Sequence, residues 1–413
     1  MTSFLRLSFL LVALLLSSLV SHGAYVQMAG IVLLCAYCLC LPDIRRELLK
    51  RSNMLRVVAA LIVITVFFLY FLFFPPPNGA PELEKSAFNN YLFLVLIACF
   101  IMCLGALIVR RPTEFTFVLA VLIVVNDLIL LMQTVWLVVT NTYIDFVEPV
   151  TGEASRFHNY ENLNPVFAFR PTGLYVEPST FSAAVGSMAI GYVLLCRARG
   201  RQANLWPLLL TIAAMLITQS TAATIQCLVL MFAVLLMQKK SVQIWGAVIC
   251  GVFVLAAPAL LSAYFGNFMM KMDESSGIRL SLLDYIYHTR NGWDLLFGYG
   301  PFTLEESLYH SANPGGDFQV ASLNDAGLLH YFVVRFGLAG LVIPAAMFIR
   351  MRKDVSSLLF FAVLLSSKLS YAFPVLYFGL LPLMMRLPEW SRRTVVQDDD
   401  ADNRFEQPMP RAR

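Results

Sequence analysis

The chain has 413 residues, 59% of them hydrophobic and 14% charged, with a net charge of +4 and a mean hydropathy of +0.71. A soluble domain carries about 25% charged residues, so this composition excludes one and predicts an all-α, polytopic integral membrane protein. The small positive excess sits in the connections between apolar segments, which ties it to membrane topology and not to a nucleic-acid partner.

In chain order, mostly apolar stretches occupy 4–21, 24–41, 57–75, 91–109, 115–139, 181–196, 205–219, 221–238, 244–264, 326–349, 355–372 and 374–387. A crossing helix needs roughly 20 such residues, so these predict about twelve transmembrane helices. The pairs 205–238 and 355–387 leave almost no loop and read as tight hairpins. Basic residues follow alternate segments: Arg45, Arg46, Lys50, Arg51 and Arg56 after the second, and Arg110 and Arg111 after the fourth. Arg197, Arg199 and Arg201 follow the sixth, Lys239 and Lys240 the eighth, and Arg350, Arg352 and Lys353 the tenth. The positive-inside rule puts all of them on one face if both termini are cytoplasmic. The first segment also has the layout of a secretory signal, with Arg6 ahead of an apolar core. The span that follows at once, and the charge parity, favour its retention.

Residues 1–387 thus form one transmembrane domain with two long outer loops, 141–180 and 265–325, and residues 388–413 form a disordered cytoplasmic tail. The tail's Asp398, Asp399, Asp400 and Asp402 read as a solvated charge run and not as a metal cluster. The eight cysteines all fall inside predicted spans, which argues against a disulfide framework, and the Cys35–Cys38 pair reads as helix packing. In the second loop, Ile278, Leu282, Leu283, Tyr285 and Ile286 suit a short amphipathic helix lying in the interface. Gly298, Gly300 and Pro301 mark a turn after it. Ionisable residues within spans are costly and so are functional candidates: Asp127 beside Asn126, His330, Arg335 and Lys368. Pairing of Asp127 with Lys368 or Arg335 inside the bundle is the plainer alternative.

Outer-facing cations need their own explanation, because topology depletes them there. Arg156 and Arg170 lie in the first long loop, and Lys271, Arg279 and Arg290 in the second. A guanidinium offers two parallel donors that suit phosphate. Next to Arg170, Pro178 suits the first turn of a helix, so the sixth span starts near Glu177 and presents free N–H groups where anions are favoured. The stretch reads as half of a phosphate site at the membrane surface. Pairing of Arg170 with Glu177 or with lipid headgroups stands beside that reading.

Three stretches resemble one family. "RPTGLYVEPSTFSAA" (170–184) is similar to the Arg-x-x-Gly-x-x-x-Glu-Pro-Ser element of the O-antigen polymerase (Wzy-type) and O-antigen ligase superfamily. "SGIRLSLLDYIYHTRNGWDLLFGYG" (276–300) resembles its second element, an arginine, a hydrophobic helix and a Gly-x-Gly turn, and "SLNDAGLLHYFVVRFGLAGL" (322–341) its third. The likeness covers 165–341; the flanks share only hydropathy. It implies a GT-C-like membrane fold and a metal-independent, inverting glycosyltransferase with no cofactor, working at the periplasmic face of the bacterial inner membrane. The substrates implied are glycans on undecaprenyl diphosphate, handled alongside a flippase and a chain-length regulator of the same pathway.

By position in those elements, Arg170 and Arg279 would hold the donor diphosphate, with Arg290 as a further basic candidate. The ligase branch has a histidine where this chain has Asp325, which favours a polymerase over a ligase and leaves the general base open between Asp325 and Glu177. A flippase or other transporter and a non-catalytic assembly subunit remain as competing classes. A transporter is expected to show paired halves or broken helices, and no internal repeat is visible.

Overall fold

The computed structural model describes residues 3–20, 24–75, 81–156, 170–237, 282–306, 308, 327–352 and 354–385. Among them there are helices and no strands. The helices are α1 (Ser3–Ser18), α2 (Tyr25–Cys40), α3 (Pro42–Leu48), α4 (Arg51–Phe73), α5 (Pro81–Arg110), α6 (Pro112–Thr140), α7 (Glu148–Thr151), α8 (Pro178–Ala198), α9 (Leu205–Ile217) and α10 (Thr221–Leu236). They continue with α11 (282–289), α12 (Gly292–Phe297), α13 (Leu328–Phe336), a 3-10 turn (Gly337–Leu341), α14 (Val342–Met351), α15 (Val355–Ser366) and α16 (Leu376–Met384).

Every apolar segment set out above contains helix except the ninth, which lies outside the described residues. Among the described residues, length and apolarity suit five helices to crossing a membrane, or six if α2 and α3 count as one bent span. The α2–α3 bend of 104° falls at Pro42, whose ring forces the residue before it, Leu41, into an extended conformation. α1 and α9, α10 and α15 are shorter apolar helices.

The core is built around α8, which is buried along its whole length except at Arg197. Its sequence explains why: Ala183, Ala184, Gly186, Ser187, Ala189 and Gly191 are small, so neighbouring backbones approach closely, the means by which helices associate where lipid supplies no hydrophobic drive. The closest approach is to α16. A Cβ at Gly191 would collide with the Phe378 carbonyl oxygen, and one at Gly379 would lie 2.7 Å from the Ser187 carbonyl oxygen. Pro382 lies inside α16 and removes the N–H that would meet the Phe378 carbonyl in a regular helix, so the oxygen turned toward Gly191 is the one left over. The Cys35–Cys38 stretch sits in the α2–α5 contact, with Cys38 Sγ 3.7 Å from the Cys103 carbonyl oxygen.

The hairpin expected over 355–387 takes a different form. α15 stops at Ser366, residues 367–375 are non-helical, and α16 then begins level with Ser187, halfway along α8. Irregular backbone at this depth is tolerated only where protein covers it and satisfies its polar groups. Ser187 does both: its Oγ donates to the carbonyls of Val375 (2.7 Å) and Leu376 (3.1 Å) and accepts from Gly379 N (3.1 Å).

Ion pairs tie one end of the bundle together. Arg111 grips Asp43 (2.8 Å) and Glu114 (2.7 Å), Arg6 reaches Glu114 (2.6 Å), and Arg110 reaches Glu47 (2.6 Å). Arg197 at the end of α8 pairs with Asp354 ahead of α15 (3.4 Å).

Gly191→Val places two methyl groups against the Phe378 carbonyl and should cost about 2 kcal/mol or more. Accumulation in membranes and the apparent Tm of the purified protein are expected to fall, whereas Gly105→Ala, where an added Cβ meets nothing within 4 Å, is expected to leave both unchanged.

Candidate functional site

The opposite end of the bundle holds the candidate site, and Gln133 on α6 organises its floor. Gln133 Oε1 accepts from the backbone N–H groups of Thr172 and Gly173, both at 2.9 Å, and its Nε2 donates to the Ile144 carbonyl (2.8 Å). One buried side chain therefore joins the two described halves of the first long loop. Gly173 adopts φ +61° with the Phe181 ring 3.2 Å from where a Cβ would stand, so only glycine fits without strain. Tyr143 Oη bridges Ser155 Oγ (2.6 Å) and Thr172 Oγ1 (2.8 Å). Asp145 accepts from the backbone N–H groups of Val147 (2.8 Å), Glu148 (3.0 Å) and Ser155 (2.6 Å). Burial works to raise the Asp145 pKa, but these N–H donors outweigh it and hold the carboxyl below its ordinary value.

Glu177 stands at the N-cap of α8 with Pro178 behind it, as the sequence predicts, in an extended conformation. Its carboxylate does not cap the helix. It accepts from Arg156 Nη1, from Lys368 Nζ (3.1 Å) and from Ser179 Oγ (3.2 Å). The Glu177 side chain is 14% exposed, and those of Arg156 and Lys368 are 27% and 22% exposed. Arg156 is further fixed by its own N–H, which donates to the Val176 carbonyl (2.7 Å). Burial pushes the Glu177 pKa up, but the Lys368 ammonium and the Arg156 guanidinium more than offset this, and the carboxyl is held well below the usual carboxylate range.

Arg170 is half-buried and reaches the Thr218 carbonyl at the end of α9 through Nε, at a long 3.5 Å. Among the described residues it forms no ion pair, so the alternative in which it pairs with Glu177 does not occur; Arg156 and Lys368 take that carboxylate. Two cations therefore meet on one carboxylate at the start of the most buried helix.

Arg290 is placed otherwise. Its Nε and Nη2 make a two-pronged contact with Glu305 (2.8 and 2.7 Å), both residues are buried, and the guanidinium lies 5.2 Å from the Tyr299 ring centre. The fork that would suit a phosphate is filled by Glu305. Arg279 and Asp325 lie outside the described residues, as does Ile278. Of the amphipathic helix predicted through 278–286 to lie in the interface, the described part is helical over 282–289, and its apolar side turns onto protein instead: Leu282 and Ile286 are buried with Leu304, Leu308 and Val334.

The second and third sequence elements meet through two glycines. Gly298 (φ +62°) and Gly337 (φ +58°) pack back to back, a Cβ on Gly298 would stand 2.5 Å from the Arg335 carbonyl, and Gly300 N donates to that same carbonyl (2.8 Å). Arg335 is buried, donates Nη1 to the Thr303 carbonyl (3.0 Å) and lies 5.4 Å from the Tyr331 ring centre. Asp127 pairs with neither Lys368 nor Arg335; its Oδ2 accepts from Thr211 Oγ1 (3.0 Å). Sequence reasoning had Arg156 and Lys368 in hand but did not join them to Glu177. The clue was Lys368 within "SSKLSYAFP", where serines and a proline break an apolar run and mark an unwound segment.

No family model matches the chain, and no curated protein matches it significantly.

Glu177→Gln leaves two cations facing a neutral amide and should cost on the order of 2 kcal/mol at neutral pH. A carboxyl whose folded pKa is depressed stabilises the fold above its unfolded value of about 4.3 and loses that contribution as the pH falls through the folded one. The apparent Tm of the variant should therefore lie below that of the unaltered protein at pH 7 and pH 5. The gap should narrow only under strongly acidic conditions.

Proposed function

We propose that this protein is a polymerase of lipid-linked polysaccharide repeat units, acting at the periplasmic face of a bacterial inner membrane. The observation that carries the reading is the pair of cations, Arg156 and Lys368, held on Glu177 at the N-terminus of α8, with Arg170 seven residues earlier and in no ion pair among the described residues. Arg170 and Glu177 belong to the stretch 170–184, one of the three that resemble the O-antigen polymerase and ligase superfamily. A site with surplus fixed positive charge at the membrane boundary suits a substrate whose leaving group is a diphosphate.

In the reaction proposed, an acceptor sugar hydroxyl attacks the anomeric carbon of the donor glycan. The bond from that carbon to the diphosphate oxygen breaks, and undecaprenyl diphosphate departs with the electron pair, inverting the anomeric centre. Arg170, which has no carboxylate partner among the described residues, together with Arg279 would stabilise the departing diphosphate. The hydroxyl proton passes to a carboxylate base. Glu177 is tied to two cations and held far down the pH scale, so it is a poor proton acceptor. Its role in this reading is to position Arg156 and Lys368, and the base is assigned to Asp325. Arg290 anchors the second loop through Glu305.

One observation favours a second reading, transport of a lipid-linked glycan. The unwound segment 367–375 lies level with the middle of α8, and broken helices at mid-depth are common where transporters hold their substrates.

Purified protein incubated with a synthetic undecaprenyl-diphosphate oligosaccharide should give a ladder of longer products. Arg170→Ala and Arg279→Ala should insert normally yet reduce product by about 100-fold or more. Unaltered chain lengths in both variants would remove the polymerase reading. Movement of the intact substrate across a vesicle membrane with no ladder would support the transporter.

A further inference from the structure

A cavity of about 980 Å³ runs between α4, α5 and the Gly337–Leu341 turn, away from Glu177. Its walls are apolar, with Val57, Ile64 and Phe67 on α4 facing Ile97 and Ile101 on α5. From Lys50 to Phe67 the groove follows α4 for about 25 Å at 1.5 Å per residue, most of the roughly 30 Å hydrocarbon thickness. Its two mouths differ in chemistry. One is lined by Lys50, Ser52, Asn53 and Arg56, the other by Phe297, Pro301, Phe336 and Tyr371.

We propose that this groove binds an anionic phospholipid, with an acyl chain along α4 and α5 and the phosphate at the mouth formed by Lys50 and Arg56. Charge complementarity selects the occupant. Among the described residues, the one carboxylate lining the cavity, Glu47, is already neutralised by Lys50 (2.7 Å) and by Arg110 (2.6 Å), which together outnumber it. Arg56 is exposed and forms no ion pair among the described residues. The N-terminus of α4 opens beside them with no side-chain cap and no acidic residue in its first turn, so its partial positive charge adds to the same mouth. A zwitterionic headgroup would leave that surplus unmatched. A prenyl chain whose diphosphate lay at the Glu177 end would bring only hydrocarbon to these cations. The site is thus separate from the proposed polymerase centre and independent of that reading.

The test uses full-length protein in nanodiscs of phosphatidylcholine mixed with phosphatidylglycerol, with retained lipid read by native mass spectrometry. Phosphatidylglycerol should be retained over phosphatidylcholine. Arg56→Gln should lower its retention about fivefold, the size expected of one cation at a membrane surface, and adding Lys50→Gln should lower it further. Arg56→Lys should preserve retention. Gly105→Leu, which fills open space in the groove wall, should reduce both lipids, and it supplies a readout if the charge variants fail to fold. Equal retention of the two lipids by the unaltered protein would overturn the proposal. So would phosphatidylglycerol retention that neither charge variants nor Gly105→Leu alter, or preferred retention of an added prenyl phosphate that is insensitive to Arg56.

Discussion

One carboxylate holds together three parts of the chain that sequence keeps far apart. Glu177 takes Arg156 from the first loop and Lys368 from the unwound segment after α15. A charge held at the edge of a low-dielectric bundle is costly unless it is paired and hydrogen-bonded, and the reverse holds for the cations. Each group therefore requires the others, and the first loop, the start of α8 and the break before α16 are set relative to one another by a single electrostatic constraint. Gln133 supports the same loop from below through neutral hydrogen bonds, so the site's floor is insensitive to pH even where its charges are not.

Segment 367–375 has two sides. Lys368 turns to Glu177, while Tyr371 lines the apolar groove between α4 and α5. A short stretch of irregular backbone thus touches both the charged cluster and the cavity proposed to hold lipid. It is stabilised by Ser187, whose single hydroxyl proton is shared between two carbonyls and whose oxygen accepts from one N–H, so both the donor and an acceptor site of one serine are used. The small residues of α8 serve this arrangement too, since a bulkier face would hold α16 away from Ser187.

Much of the architecture was legible because it follows from local rules. Apolar runs marked the helices, Pro178 marked the start of α8, and Gly298 and Gly300 marked a turn where positive φ is required. What was not legible depends on partners distant in sequence. An arginine in an outer loop looks the same whether its fork meets a phosphate or a carboxylate; Arg290 meets Glu305, which belongs to no motif. Lys368 was visible as a costly charge in an apolar run, but its partner lies 191 residues away, and Asp127, another charge within a span, offered itself as a mate. The length of the later helices was misjudged for a related reason. Apolar residues 374–387 satisfy a hydropathy pattern equally well as a full crossing and as a short helix entered from the protein interior.

The dependence of α8 on α16 also bears on how the polypeptide is assembled as it emerges from the ribosome. α8 is made well before the backbone that packs on Gly191 and before Lys368, the second cation on Glu177. Until then a helix rich in small residues waits without the neighbour its face fits, and Glu177 has Arg156 alone for a cation. Translation that stalls before residue 368 would therefore leave the small-residue face of α8 without α16 and the start of α8 without its tie to the unwound segment.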